Sequence, residues 1–315
     1  MIASPLRLVP LYHQRVWGGR TLESLYRRPL PQDGKPYGES WEIVDRADEQ
    51  SVVRDGPLAG KSLHELWSQH REEVFGKGLP DSERFPLLVK ILDCRDRLSI
   101  QVHPPQAVAP QLGGEPKTEM WYIVKAEPEA HLYVGLDQDA TRSSFQDSIE
   151  AGTTESEVHA IPAQAGQSIF IPSGRLHAIG AGFLIFEIQQ NSDTTYRVFD
   201  WNRIGLDGQP RQLHIEESLQ CIDFQDVEPT MDSPQGSVLA ECEYFRVEKL
   251  ALSGGEGIGK ALAHRFAIFA VVTGQVSCGG HHFEMGDFFI IPATADLVVT
   301  ATSESAEVLR TTIPE

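Results

Sequence analysis

Four side chains with the chemistry of metal ligands are Gln101, His103, Glu119 and His177. Gln101 and His103 end the strand-like run Leu98-Ser-Ile-Gln-Val-His103, and residues two apart on a strand project from the same face. Glu119 opens an apolar run, and His177 follows a Pro-Ser-Gly turn. Two imidazoles, a carboxylate and an amide oxygen can hold a divalent metal and leave positions open for substrate. The pattern therefore predicts a metal site suited to Lewis-acid catalysis.

Spacing alone leaves another interpretation of these residues open. A single histidine is more often a structural hydrogen-bonding group than a metal ligand. Small barrels commonly bind metal through His-x-His, followed shortly by Glu and later by a distant His. In this chain Gln101 stands at the first position, and Glu119 lies far along the chain from His103. The spacing supports a metal site but specifies no reaction.

Charged residues within or beside apolar runs are further candidates for chemistry. Glu187 lies in Gly182-Phe-Leu-Ile-Phe-Glu-Ile-Gln-Gln190, where a carboxylate is costly unless it is paired or bound. It is either a structural hydrogen-bond acceptor or an acid or base with an environment-tuned pKa. Lys90 interrupts another apolar run, and a buried ammonium needs a partner. Together with Lys117 and Arg197, Lys90 could offset the charge of a phosphate.

The elements that must position these groups are mostly strands. The 27 Gly and 20 Pro residues punctuate short runs rich in Val, Ile, Phe and Thr, as in a sandwich or barrel. Helical periodicity is confined to residues 62–75, with Ser62 at the capping position, and to the shorter segments 143–150 and 215–221.

A weak internal repeat predicts two related barrels. Ala165-Gly-Gln-Ser-Ile-Phe-Ile-Pro-Ser-Gly174 resembles Met285-Gly-Asp-Phe-Phe-Ile-Ile-Pro-Ala-Thr294, and both read as a turn, a strand and a Pro stop. His177 follows the first copy, whereas no histidine follows the second. We therefore expect an N-terminal domain at 1–225 with the metal site, a linker at 226–236 and a metal-free C-terminal domain at 237–315.

Composition excludes several classes of function. The chain has 315 residues and a net charge of −18, and it lacks the basic stretch that nucleic-acid binding needs. No segment approaches the ~20 consecutive apolar residues of a membrane helix, and the N-terminus does not read as a secretory signal. The four cysteines form no CxxC pair, which favours reduced thiols and a cytoplasmic location.

The motifs together resemble type I mannose-6-phosphate isomerase (phosphomannose isomerase) in its short bacterial form. Six segments carry the resemblance, in the order of the family: Trp17-Gly-Gly19, Tyr37-Gly-Glu-Ser-Trp-Glu42, Leu98-Ser-Ile-Gln-Val-His-Pro104, Lys117-Thr-Glu-Met-Trp-Tyr122, Ile171-Pro-Ser-Gly-Arg-Leu-His-Ala-Ile179 and Gln190-Asn-Ser-Asp-Thr-Thr-Tyr-Arg197. Their number and order make chance agreement negligible.

The resemblance implies a mainly β fold of two tandem cupin (jelly-roll) β-barrels with a few short helices. It also implies three groups of functional residues in this chain: the zinc ligands Gln101, His103, Glu119 and His177, the catalytic residues Lys117, Glu187 and Arg197, and the substrate-binding residues Trp17, Lys90 and Ser99. Short family members often have a small or polar residue where this chain has Arg175, a difference that is expected to affect the pocket rim and not the ligands.

The implied reaction interconverts mannose 6-phosphate and fructose 6-phosphate by moving a proton between C2 and C1 through an enediol. One Zn²⁺ per chain is expected, although nitrogen and oxygen ligands also accept Mn, Co or Fe. Glu187 or Lys117 is the candidate base, while Ser99, Lys90 and Arg197 are candidates for binding the phosphate. The expected partner is a small sugar phosphate, without nucleic acid or membrane, and the sequence leaves the oligomeric state open.

Two competing hypotheses use the same fold. A tandem-cupin protein that binds or senses a sugar without turnover need not keep Lys117, Glu187 and Arg197 beside an intact ligand set. A metal-dependent oxygenase would offer more imidazole to iron than a site containing Gln101. Measured turnover of mannose 6-phosphate excludes the first, and oxygen uptake would support the second.

Overall fold

The computed structural model describes residues 2–234 and 236–315, and these form two compact units. Unit 1 contains the described residues of 1–11, 41–89 and 233–315, and unit 2 contains Tyr12–Ser40 and Lys90–Asp232. This division differs from the predicted domains 1–225 and 237–315 because it places 1–11 and 41–89 with the C-terminal segment. The predicted domains stay a prediction, and Gln235 of the predicted linker lies outside the described residues.

Strands predominate, which confirms the expectation of a mainly β protein. The strands are β1 (Leu8–Val9), β2 (Leu11–Gly19), β3 (Tyr37–Ile43), β4 (Val52–Val53), β5 (Leu87–Cys94), β6 (Ile100–Val102), β7 (Glu119–Ala126), β8 (His131–Leu136), β9 (Val158–Pro162), β10 (Ser168–Ile171), β11 (His177–Ile179), β12 (Phe183–Gln190), β13 (Tyr196–Phe199), β14 (Val238–Glu241), β15 (Arg246–Ser253), β16 (Gly257–Ile258), β17 (Ala267–Thr273), β18 (Gln275–Cys278), β19 (His281–Glu284), β20 (Phe288–Ile291), β21 (Val299–Ala301) and β22 (Ser305–Thr312). The helices are α1 (Thr21–Ser24), α2 (Leu63–Gln69), α3 (Arg71–Val74), α4 (Arg142–Ala151) and α5 (Ile215–Cys221), with short 3₁₀ turns at Ala109–Leu112 and Thr154–Glu157.

The predicted helices are present, with one interruption. Ser62 caps α2 through a complete capping box, in which its hydroxyl accepts from the Glu65 amide and the Glu65 carboxylate accepts from the Ser62 amide. The predicted segment 62–75 is broken at His70, whose backbone leaves helical geometry (φ −124°, ψ 22°) between α2 and α3. Helices α4 and α5 match the other two predicted segments. Among the described residues, no helix is long and apolar enough to cross a membrane.

In unit 2, two sheets enclose one apolar core. A six-stranded sheet has the order β10-β7-β12-β5-β2-β3, and a five-stranded sheet has the order β13-β6-β11-β8-β9. Residues 12–19, 37–40 and 90–94 are the parts of β2, β3 and β5 that belong to this unit. The core takes residues from both sheets, among them Trp17, Trp121, Ile185, Leu132 and Ile179. Residues that point inward from either sheet therefore meet in one interior.

Strand alternation places the predicted ligands in that interior. Ile100 and Val102 belong to a second apolar cluster, which includes residues from α4 and α5 on the opposite face of the five-stranded sheet. The intervening Gln101 must therefore project from the other face, toward the core. On β7, Trp121 and Ile123 lie in the core, and Glu119 shares their face by the same period of two.

Unit 1 also contains two sheets and an apolar core of its own. Its sheets have the orders β14-β15-β22-β17-β20 and β16-β21-β18-β19 around a core of their own. The register of β10 on β7 pairs Ile171 with Glu119, and the register of β20 on β17 pairs Ile291 with Ala267. The two similar segments thus pair with a neighbouring strand in the same register, and the apolar Ala267 stands where the first segment has Glu119.

Candidate metal centre and active-site cavity

Three buried side chains converge inside unit 2. The imidazoles of His103 and His177 and the carboxylate of Glu119 offer ligand atoms that all lie within 4.8 Å of one another. Nε2 of His103 is 3.4 Å from Oε2 of Glu119, and Nε2 of His177 is 3.7 Å from Oε1. Each residue is at most 1% exposed. All three groups are electron-pair donors, so a divalent cation between them would be more favourable than their direct contact.

Backbone carbonyls fix the orientation of both imidazole rings. Nδ1 of His103 lies 2.9 Å from the carbonyl oxygen of Thr194, and Nδ1 of His177 lies 2.9 Å from that of Arg175. A carbonyl only accepts hydrogen bonds, so Nδ1 of each neutral ring carries the proton and Nε2 presents its lone pair to Glu119. This orientation by a group behind the ligand is typical of histidines that bind metals.

Gln101 completes the set from the neighbouring strand. It pairs with His177 in the register of β11 on β6, and its Nε2 lies 3.3 Å from Nε2 of His177. Its Oε1 accepts a hydrogen bond from the hydroxyl of Ser99 at 3.2 Å. The amide is therefore beside the triad, where a flip of its terminal group would present an oxygen ligand.

The charges of the site are those that a cation site needs. Burial, together with the ammonium of Lys117, lowers the pKa of His103 to about 3, and burial also lowers the pKa of His177. Burial acts to raise the pKa of Glu119, but Lys117, His103 and His177 together outweigh it and hold this pKa well below the usual range. The two rings are therefore neutral and the carboxylate is charged, which are the states that bind metals.

An incompletely satisfied carboxylate supports the fit of a metal. Both oxygens of Glu119 are buried without a hydrogen-bond donor in good geometry, and a buried charge without partners is costly. The closest cation is Nζ of Lys117, 2.8 Å from Oε2 and 3.1 Å from Nε2 of His103. Oε1 has no hydrogen-bond donor among the residues that the structure describes, and Nε2 of His177 lies 3.7 Å from it. A divalent ion among these atoms would satisfy all three residues.

A cavity of about 510 Å³ lies beside the triad, and every residue that lines it belongs to unit 2. Its walls include seven of the residues singled out in the sequence: Trp17, Lys90, Ser99, Gln101, Lys117, Glu187 and Arg197. These residues come from separate segments, and the two sheets bring them to one place. The three remaining ligands, His103, Glu119 and His177, are buried behind this surface.

Glu187 faces the cavity from β12 of the six-stranded sheet. Its Oε1 lies 3.2 Å from Nζ of Lys90, and its Oε2 accepts a hydrogen bond from the indole of Trp121 at 3.1 Å. Burial and the repulsion of Glu119 raise the pKa of Glu187, while the two lysines Lys90 and Lys117 act in the opposite direction. A carboxylate with a raised pKa at a cavity wall is suited to proton transfer near neutral pH.

Comparisons with known proteins agree on one family. The family model described as phosphomannose isomerase type I, catalytic domain, matches residues 6–134. The chain is 36% identical over 300 residues to the probable mannose-6-phosphate isomerase GmuF of Bacillus subtilis, covering 92% of this chain and 93% of the relative. It is 36% identical over 302 residues to the mannose-6-phosphate isomerase of Streptococcus mutans, covering 93% and 94%. The chain belongs to the type I mannose-6-phosphate isomerase family.

A solved structure of the family agrees in fold along the whole chain. The mannose 6-phosphate isomerase from Bacillus subtilis superposes with a TM-score of 0.86 at 31% sequence identity, covering 98% of this chain and 100% of that chain. The resemblance inferred from six sequence segments is therefore confirmed at the level of the family.

Several residues of the isomerase cavity were not among the site residues predicted from the sequence, although Glu39 lies in one of the six family segments. Arg15 and Glu39 line the cavity and form an ion pair, with Nε 2.8 Å from Oε1. Arg15 lies two residues before Trp17, so the period of two could have found it. Asp207 and Arg211 line the cavity from the segment after β13, where no periodicity assigns a direction to a side chain.

Arg175, where this chain departs from short members of the family, is not among the residues that line the cavity. Its guanidinium forms a bidentate ion pair with Asp226, at 2.7 and 2.9 Å. Its carbonyl orients His177. The expected effect on the pocket rim is therefore wrong, because the side chain points into an ion pair elsewhere in unit 2.

A second group with metal-ligand chemistry lies on the surface of unit 2. Asp137, His159 and Glu228 bring ligand atoms within 4.8 Å of one another, with both carboxylates exposed. Exposed carboxylates are already well solvated, so a metal gains little there. This surface group is a useful control for the buried triad.

Proposed function

We propose that this protein interconverts D-mannose 6-phosphate and D-fructose 6-phosphate at the cavity of unit 2. The observation that carries the proposal is the buried triad of His103, Glu119 and His177, with both rings oriented by carbonyls, beside a cavity that Glu187 lines. The relatives that share most of this chain's length are named for this reaction. Retention of Lys117 and Arg197 at the same cavity disfavours a protein that only binds sugars.

Gln101, His103, Glu119 and His177 would hold one divalent ion. Two imidazoles and two oxygen donors suit Zn²⁺, and also accept Mn, Co or Fe. When bound, the ion supplies Lewis-acid polarisation of the substrate oxygens next to the carbon that loses its proton. The protein's own contribution is to fix the ligands, since Thr194 and Arg175 hold the two rings by their backbone carbonyls.

Glu187 is our candidate for the base. It accepts the proton from C2 of the open-chain aldose, the electron pair of the C2–H bond forms the C1–C2 double bond, and the C1 carbonyl oxygen takes up a proton from solvent to give an enediol. The same carboxyl returns a proton to C1, and loss of the proton from the C2 hydroxyl gives the ketose. Lys117 is less suited to this role because its ammonium is already bound to Glu119 at 2.8 Å; we assign it to stabilising negative charge on the sugar oxygens.

The remaining predicted residues bind the substrate. Trp17 supplies an apolar wall, and Lys90, Ser99 and Arg197 supply donors for the sugar phosphate. Arg197 also stabilises negative charge that develops during ring opening and proton transfer. These roles stay proposals, as does the arrangement of the sheets as two tandem cupin barrels, with a metal only in the N-terminal one.

Conversion of mannose 6-phosphate in a coupled assay tests the proposed reaction. The protein is assayed as prepared, after chelation and after return of Zn²⁺. We expect activity that is lost on chelation and restored by the metal. Absence of turnover in the metal-loaded protein, with the sugar phosphate still bound in a calorimetric titration, would contradict the proposal and favour a binding protein.

A further inference from the structure

Basic side chains are concentrated at the cavity although the chain as a whole carries a net charge of −18. Five of them line its wall: Arg15, Lys90, Lys117, Arg197 and Arg211. Three are held by carboxylates at the same cavity or behind it, through the pairs Arg15–Glu39, Lys90–Glu187 and Lys117–Glu119. The other two, Arg197 and Arg211, have a different environment.

Asp200 holds Arg211 and a second arginine together. Its Oδ2 accepts from Nε of Arg211 at 2.7 Å, and its Oδ1 accepts from NH2 of Arg211 at 2.5 Å and from NH2 of Arg203 at 2.7 Å. Asp200 is only 5% exposed. Asp200 therefore bridges the two guanidinium groups, so Arg211 shares this carboxylate with Arg203.

The two arginines of the cluster are directed to different places. NH1 of Arg203 donates to the carbonyl of Arg97 at 2.6 Å and to Asp96 at 3.2 Å, and Arg203 does not line the cavity. Arg211 lines the cavity, and its NH1 has no hydrogen-bond partner among the described residues. Of the two arginines on Asp200, Arg211 is therefore the one that faces the cavity, with NH1 available to a ligand.

Arg197 adds a second guanidinium that no carboxylate neutralises. Its NH1 donates to the carbonyl of Gln212 at 2.7 Å, and no described carboxylate lies within ion-pair distance of it. Burial, followed by the repulsion of Arg211, lowers the pKa of Arg197 to about 10. Two guanidinium groups close enough to repel each other in a cavity wall are stabilised by an anion between them.

We propose that Arg211, held by Asp200 as a positioning residue, binds the phosphate group of the substrate together with Arg197. This inference rests on the proposed function and adds a phosphate-binding residue that no sequence motif marks. A phosphate monoester carries close to two negative charges, which suit a pair of guanidinium groups of which Arg197 has no carboxylate partner among the described residues and Arg211 shares Asp200 with Arg203. Guanidinium groups bind phosphate through two parallel hydrogen bonds, as a lysine cannot.

Steady-state kinetics of Arg211→Ala, Arg211→Lys and Arg203→Ala, with inorganic phosphate as a competing ligand, test the proposal. We expect Arg211→Ala to raise both KM for mannose 6-phosphate and Ki for phosphate by about tenfold or more, with a much smaller change in kcat. Arg211→Lys should restore part of both affinities. Arg203→Ala is the matched control, because it removes the other guanidinium on Asp200, and it should leave KM and Ki within about twofold of the wild type.

The outcomes separate this inference from the proposed function. Equal effects of Arg203→Ala and Arg211→Ala would show that the cluster is only structural and would overturn the inference, as would an unchanged KM and Ki in Arg211→Ala. If Arg211→Ala fails to fold, an Arg211→Lys protein with wild-type KM and Ki overturns it equally. If the metal-loaded wild type does not turn over mannose 6-phosphate, calorimetric titration with inorganic phosphate still tests whether Arg211 binds phosphate. Binding to the wild type and not to Arg211→Ala supports the phosphate site alone, and equal binding to both overturns it.

Discussion

Lys90 and Glu187 form a buried ion pair, with Nζ 3.2 Å from Oε1 and both side chains 5% exposed. The pair places a positive charge directly against the carboxylate that we assign as the base. In this position Lys90 opposes the rise in the pKa of Glu187 that burial and Glu119 cause. The ammonium thus keeps the carboxylate in its charged form at a lower pH than burial alone would allow.

Removal of this cation should move the pH profile of the reaction. Since the base must be deprotonated, activity rises as the pH rises through the pKa of Glu187. Lys90→Met should therefore shift the acidic limb of kcat/KM to higher pH, by about one unit, whereas Lys90→Arg should leave it close to the wild type. A limb that does not move in Lys90→Met would contradict the assignment of Glu187, whatever the change in KM.

Metal content should depend on the buried triad and not on the surface group. After saturation with Zn²⁺ and removal of excess, we expect one equivalent per chain in the wild type and in His159→Ala, and much less than one in His103→Ala. The physical reason is that the triad is buried and the oxygens of Glu119 are incompletely satisfied, whereas Asp137 and Glu228 are exposed to water. Elemental analysis gives the ratio, and a larger loss in His159→Ala than in His103→Ala would disprove the assignment.

Asp232 should destabilise the protein above neutral pH. Burial raises the pKa of its carboxyl to about 6, and its Oδ2 is buried without a hydrogen-bond partner. Since the folded state has the higher pKa, the contribution of Asp232 to stability declines as pH rises from about 4, the value in unfolded chains, and is lost above 6. Asp232→Asn should thus raise Tm at pH 8 and have little effect at pH 4.

The control for this change is Asp147→Asn, at an exposed position of α4. It should leave the Tm nearly unchanged at both pH values. A Tm gain for Asp232→Asn that is the same at pH 4 and pH 8 would show that its effect does not come from the ionised carboxylate.

The capping box of α2 should contribute measurably to the stability of unit 1. Ser62→Ala removes the acceptor for the Glu65 amide and should lower the free energy of unfolding by about 1 kcal/mol. Ser68 is a matched control in the same helix, because its hydroxyl donates only to the carbonyl of His64 and its loss should have little effect. Urea unfolding measures both, and equal losses would contradict the capping role.

Local rules account for the parts of the fold and site that the sequence predicts. Side chains alternate between the two faces of any strand, so the sequence correctly predicts that Gln101 projects from the face opposite to Ile100 and Val102. The repeat is also visible locally, because each copy needs a glycine with a positive φ before its strand: Gly166 at 89° and Gly286 at 88°. A backbone conformation that requires glycine can be recognised in the sequence, whereas a contact between distant side chains cannot.

Long-range packing decides what the sequence does not predict. Arg211 reaches the cavity because Asp200 holds its guanidinium, and neither residue lies in a periodic segment that would indicate this. The break at His70 interrupts a helical pattern that continues through it in the sequence. The membership of residues 41–89 in the same unit as 233–315 likewise depends on contacts between segments far apart in the chain.

The role of Glu187 as the base of the isomerisation is tested most directly by proton NMR. Mannose 6-phosphate is incubated in deuterated water with metal-loaded wild type or Glu187→Gln. We expect the wild type to form fructose 6-phosphate with solvent deuterium at C1, because the carboxyl of Glu187 exchanges its proton with water. Glu187→Gln should bind the sugar phosphate but convert it at least about 100-fold more slowly. No conversion by the wild type, or equal conversion by both proteins, would contradict the account.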